Sequence, residues 1–198
     1  MRNDLTLAFR SFELLSRDYE EVLEYVHPDH LNLDVHSHRI FGLLLRACTD
    51  FEALSKAASL KMDIAFDKKT AKINTFAKLP AALGISELEV EIISFQPTSL
   101  FVAPLGGWSD DPHGLTWYRA YNEAKHNRVE NFRRASLMNL SLALSACFLL
   151  LVGSNAIPAT EPLTDDLPDG RKRINFYVGP FAILAPSKWK SPNYWTEP

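Results

Sequence analysis

The segment Trp117-Tyr118-Arg119-Ala120-Tyr121-Asn122-Glu123-Ala124-Lys125-His126-Asn127-Arg128 carries residue types whose spacing suits chemistry. On an α-helix, Arg119, Asn122 and His126 stand at i, i+3 and i+7 and share one face. Trp117, Tyr121 and Ala124 share another, apolar face that can dock to a core. An arginine fork grips a phosphate bidentately, an amide orients it, and an imidazole moves a proton near neutral pH. That trio suits cleavage of a phosphodiester without a metal, through electrostatic stabilisation and general acid–base help. The same spacing also describes a solvated face or a set of interhelical bonds, which account for most such sets. Residues 117–134 hold Arg119, Lys125, Arg128, Arg133 and Arg134 against Glu123 and Glu130, a local balance of +3.

That basic stretch lies in a chain of 198 residues with a net charge of −3. The overall sign argues against a generic polyphosphate binder, whose whole surface would be basic, and leaves room for a local basic site. The length fits one domain, or one core with a tail. Hydrophobic residues at 46% and charged residues at 23% lie near globular averages, which excludes bulk disorder and collagen-like structure. Cys48 and Cys147 sit in apolar stretches far apart, which is neither a disulfide framework nor a zinc knuckle. A reducing compartment is the simplest inference. Met1-Arg2-Asn3-Asp4 opens a mixed-charge segment without the apolar core of a signal peptide, so a cytoplasmic location is expected. His27, His30, His36 and His38 cluster with Asp29 and Asp34, and read as a polar loop in preference to a metal site. No Walker loop, dinucleotide fingerprint, nucleophile elbow or His-Glu-x-x-His pattern occurs, and neither metal nor cofactor is expected.

Periodicity predicts the elements that must hold the trio in place. Phe12, Leu15, Tyr19, Val22 and Val26 step as one helical stripe over residues 3–26, ended by His27-Pro28. Ile40, Leu44, Ala47, Phe51, Leu54 and Ala58 mark a second helix over 34–61, with Asp34 as its N-cap. A connector follows, with a short helix near 73–82 limited by Pro80. Leu88, Val90 and Ile92 alternate with Glu89 and Glu91 as a half-exposed strand, and Leu100 and Val102 suggest its partner. Ser109-Asp110-Asp111-Pro112 reads as a helix start, and a third helix is predicted over 115–128. A fourth over 135–152 is apolar nearly all round, so it is central in a core or shared with a second subunit. Its segment Leu137–Val152 is short for a membrane span and carries Asn139, Ser141 and Ser145, so it reads as a buried helix. Gly153 suits its C-terminal cap. In the tail, Pro158, Pro162 and Pro168 with Asp165, Asp166 and Asp169 read as an acidic surface loop. Ile174, Phe176 and Val178 then alternate as a strand before Gly179-Pro180 and the apolar run 181–184, with Trp189 and Trp195 as late packing residues or a cover for an apolar patch.

The stretch WYRAYNEAKHNRVENFRRASLMNLSLALSACFLLL resembles the motif region of HEPN-like helical proteins. It is similar to bacterial and phage-associated members with a Trp-x-x-x-Tyr-Asn-x-x-Lys-His-x-Arg block, and HRIFGLLLRACTDFEALSK resembles their earlier long helix. The resemblance covers residues 36–152 and leaves out the tail from 154 onward. It implies a small helical bundle, usually homodimeric. Many such proteins are metal-independent endoribonucleases of toxin–antitoxin, abortive-infection and CRISPR-associated systems, and others are non-catalytic. Their signature is an arginine and a histidine separated by four to six residues, which Arg119 and His126 match at the loose end. The family often has a polar residue directly after the arginine, where Ala120 stands here.

The expectations are therefore these. The fold is mainly α, a HEPN-like bundle of about four helices with a small β insertion near 88–103 and a C-terminal strand or hairpin. Residues 1–153 form the domain, and 154–198 form an extension packing on it. The chain is a homodimeric ribonuclease of a toxin or phage-defence setting, with catalytic Arg119, Asn122 and His126. Lys125, Arg128, Arg133 and Arg134 bind RNA. The alternative is a non-catalytic dimerisation, interaction or nucleotide-binding module, working with a partner protein. No membrane association is expected.

Overall fold

The computed structural model describes residues 2–108, 114–158 and 162–189. The helix start predicted at 109–112 and Trp195 lie outside them. Helix α1 (Arg2–Tyr25) buries Phe12, Leu15, Tyr19 and Val22, the stripe that its periodicity marks. Helix α2 (His38–Lys61) buries Ile40, Leu44, Ala47, Phe51, Leu54 and Ala58. Its N-cap is Ser37, whose side chain accepts from the Ile40 amide at 3.1 Å, and not Asp34. Residues 33–36 are held by the start of a later helix instead. Leu137 N donates to Val35 O at 2.8 Å, Met138 N donates to Leu33 O at 2.9 Å, and His36 bridges Ser136. A turn of 3-10 helix (Ile73–Phe76) and the short α3 (Leu79–Ala82) follow, with Pro80 in the first turn of α3.

The strands overturn the expected fold class. Strands β1 (Glu89–Ile92) and β2 (Leu100–Val102) form the predicted pair. The C-terminal strands β3 (Leu163–Asp166), β4 (Arg171–Val178) and β5 (Phe181–Pro186) join them in one antiparallel sheet, in the order β2-β1-β5-β4-β3. This is not a mainly helical bundle of four helices with a small insertion and a separate hairpin. The described residues form six α-helices and one five-stranded sheet. The reason is β1. With β2 on one side, its other edge is unpaired, and β5 fills it through Val90↔Ile183 and Glu91↔Ala182. Such an edge is a template for another strand wherever in the chain that strand lies. Strand β3 replaces the expected acidic loop. Its four residues are exposed, and its acids face cations across the ladder at Asp165↔Arg173 and Asp166↔Lys172.

One face of the sheet, with Val90, Ile92, Phe181 and Ile183, packs on the helices. The Phe181 ring lies 5.7 Å from Phe12, 6.0 Å from Tyr19 and 5.7 Å from Phe148. On the other face Arg173 reaches across β5 to Glu91, which is 2% exposed. Helices α4 (Thr116–His126), α5 (Arg128–Asn131) and α6 (Leu137–Gly153) complete the layer. Helix α6 is buried along its whole second half and is surrounded by α1, α2, α4 and β5. Its own chain therefore supplies the cover that its all-round apolar sequence demands. Gly153 is its last helical residue and not its cap. A Cβ there would meet Ile85 Cγ2 at 2.9 Å, so close packing explains the glycine, while Ser154 caps the helix. Among the described residues, no helix is long and apolar enough to cross a membrane.

Candidate phosphate-binding face

Helix α4 is fastened to the core by one side. Trp117, Ala120, Tyr121 and Ala124 are buried. The Trp117 indole donates to Pro104 O at 2.9 Å and meets the Phe51 ring edge-on at 5.0 Å. Tyr118 donates its hydroxyl to Glu52 Oε1 at 2.6 Å, which joins α4 to α2. Ala120 lies on this docked side, where a polar side chain without a partner would be costly.

The opposite face carries the trio. Arg119 and His126 are exposed and Asn122 is half-buried between them. The side chain of neither Arg119 nor His126 makes a hydrogen bond or ion pair to another described residue. The step of seven positions from Arg119 to His126 amounts to about 10 Å along the axis. Helical Cβ bonds tilt toward the N-terminus, so the His126 ring leans back toward Arg119 while Arg119 leans away. The face therefore spans more than one phosphate group. His126 is the last residue of α4, because Asn127 leaves helical geometry at φ −136 and ψ 78. The Asn127 amide then donates to Glu130 Oε2 at 2.7 Å and starts α5.

The cations of the basic stretch divide. The Arg128 guanidinium stacks 4.7 Å over Phe41 and 5.5 Å over Phe132, and donates to His38 Nδ1. Arg134 pairs with Glu123 at 2.6 Å. Lys125 donates to Tyr121 Oη at 3.0 Å, and this bond is the first cause of the rise in its pKa, so it stays a cation. Arg133 is exposed. Arg119 and His126 thus point away from the core, with Lys125 beside them, while Arg128 and Arg134 are engaged by their own chain.

A cleft of about 400 Å³ opens beside this face. Asn122 and Tyr118 of α4 form one wall, Glu52 and Lys56 of α2 another, and Lys72 and Ile73 the third. Sequence reasoning missed Glu52, Lys56, Lys72 and Tyr118. Lys56 falls off the apolar stripe of α2, which marks it as a surface cation, but no spacing links it to Lys72 or to Asn122.

The histidine cluster between α1 and α2 is dispersed. His30 Nε2 lies 3.1 Å from Thr98 O, the His36 ring meets Phe132 edge-on, and His38 holds Arg128. Among the described residues, no group of three or more His, Cys, Asp or Glu could hold a metal ion. Cys48 and Cys147 are buried free thiols, pushed well above the usual range by burial. Trp189 packs at the rim of the core and donates to Gly84 O at 2.8 Å. Comparison with protein-family models, with curated proteins and with solved structures finds no match to this chain.

Proposed function

We propose that the chain is a metal-independent endoribonuclease of HEPN type that works through the exposed face of α4. The observation that carries this reading is the disposition of α4 itself. Its apolar side is locked into the core, and Arg119, Asn122 and His126 are presented together on the side that is left. Arg119 holds the scissile phosphate and stabilises the charge that develops on it. His126 takes the proton of the 2′-hydroxyl or returns one to the leaving oxygen, and Asn122 orients one of these groups. Lys125 and Arg133 attract the strand without regard to sequence, which makes binding fall steeply with salt.

The distance between Arg119 and His126 supports a second copy in the working form. Two α4 faces brought together would let the arginine of one protomer and the histidine of the other act on one phosphate. The setting in this reading is cytoplasmic, in toxin or phage-defence biology, and it rests on the resemblance of the motif region alone. A second reading, binding of a nucleotide or strand without cleavage, is favoured by one observation. Among the described residues nothing fixes the His126 ring, whereas a general base is usually oriented by a partner on its other nitrogen.

The test is incubation of single-stranded RNA with the protein in EDTA. Cleavage by wild type that His126→Ala abolishes, with strand binding retained, supports the enzyme. Binding without cleavage by wild type selects the second reading.

A further inference from the structure

We propose that the cleft between α2, the 73–76 turn and α4 binds a nucleoside phosphate. The inference deepens the proposed function and rests on it for the ligand's identity as a nucleotide. The cleft's volume of about 400 Å³ lies in the range of small-molecule sites. Inorganic phosphate alone would leave most of that volume to water. Lys56 and Lys72 stand on separate walls, and neither forms an ion pair with a described residue. They outnumber the one acidic group of the cleft, Glu52, so an anion is favoured. Both lysines are compact point charges on flexible stems, which suits a phosphate whose position varies.

The remaining lining suits a base. Glu52 uses Oε1 to accept from Tyr118, which leaves Oε2 to accept from an N–H on a base edge. The Tyr118 phenol stays protonated, because burial and then its bond to Glu52 raise its pKa, so this donor is fixed. The Asn122 amide offers both a donor and an acceptor. Ile73 supplies apolar surface for the base's face. Asn122 also lies between Arg119 and His126 on α4, so a nucleotide in the cleft adjoins the phosphate-binding face.

The nucleoside phosphate has two sources, a free mononucleotide or one unit of an RNA strand. Titration calorimetry of the full chain at low salt uses 5′-AMP, inorganic phosphate and a single-stranded oligoribonucleotide as probes. The expected result is AMP binding about tenfold tighter than inorganic phosphate and weakened about tenfold in Lys56→Gln/Lys72→Gln. Circular dichroism establishes that this variant is folded. Displacement of AMP by the oligomer identifies a strand unit, and retention of AMP identifies the free nucleotide. AMP binding no tighter than inorganic phosphate, or unchanged in the double lysine variant, overturns the inference. Arg119→Ala/His126→Ala separates the two claims, since it should lose cleavage and still bind AMP. RNA cleavage by wild type without AMP binding removes the cleft and leaves the enzyme. AMP binding without any cleavage does the reverse.

Discussion

Arg128 belongs to the same basic stretch as Arg119, yet its own chain uses it. Its guanidinium lies over Phe41 and Phe132 and donates to His38, so it ties the turn after α4 to the start of α2. Replacing it with alanine should cost about 1–2 kcal/mol of stability in urea denaturation, through the lost ring contact and hydrogen bond. Arg133→Ala should leave stability within about 0.5 kcal/mol and lower the salt slope of RNA binding by about one. Spacing alone cannot separate these two arginines, because both read as surface cations. The difference lies in Phe41, which is 87 residues earlier in the chain. Four buried or half-buried acids make a second prediction at this scale. Tyr19, Tyr118, Cys48 and Cys147 all have pKa values raised in the folded protein, chiefly by burial. A raised folded value means that the stability is fully present below the unfolded pKa and is lost as pH rises toward the folded one. The thermal midpoint should therefore fall from about pH 8.5 upward, where unfolded thiols ionise, and more steeply above about pH 10. Tyr19→Phe should flatten the upper part of that fall.

At the scale of elements, the helices were legible wherever one face meets the core. The stripes of α1, α2 and α4 name the residues that the structure buries. The sheet was legible strand by strand and not as a whole. Alternation at 88–92 marks a strand, but nothing in it says that Phe181–Pro186 is the neighbour. Glu91 shows why. Its place in the alternation implies an exposed side chain, and Arg173 from β4 covers it until 2% remains exposed. Strand β3 carries no apolar signal at all, and only the cations opposite explain it. The β4–β5 connection yields a sharp prediction. Gly179 has φ +59, and a Cβ built there would run into the Ser16 side chain of α1. Gly179→Ala should cost about 2–4 kcal/mol by strain and overlap, measured by chemical denaturation. Adding Ser16→Ala should recover part of that loss, since it removes the hydroxyl that the new methyl group meets.

At the scale of the whole molecule, α6 decides what kind of assembly to expect. A helix this apolar suggests either a buried centre or a shared interface, and the sequence does not choose. The structure chooses the centre, because α1, α2, α4 and β5 enclose it. The dimer of the proposed function would therefore use a more polar surface, the exposed face of α4, where a second copy would complete the site. Two copies of this basic face repel each other, so such an interface should strengthen as salt screens them. Sedimentation is expected to shift from one copy of 22.4 kDa at low salt toward twice that mass as salt rises. The candidate site was legible as three residues on one helix face, because i, i+3 and i+7 spacing is local. The cleft beside it was not, because α2, the 73–76 turn and α4 meet only in the folded chain. The most direct measurement is the cleavage rate, in EDTA, of an all-ribose strand and of the same strand with deoxyribose throughout. A 2′-hydroxyl attack moved by His126 predicts cleavage of the ribose strand alone, and none by His126→Ala. Equal cleavage of both strands, or equal rates for wild type and variant, would contradict the account.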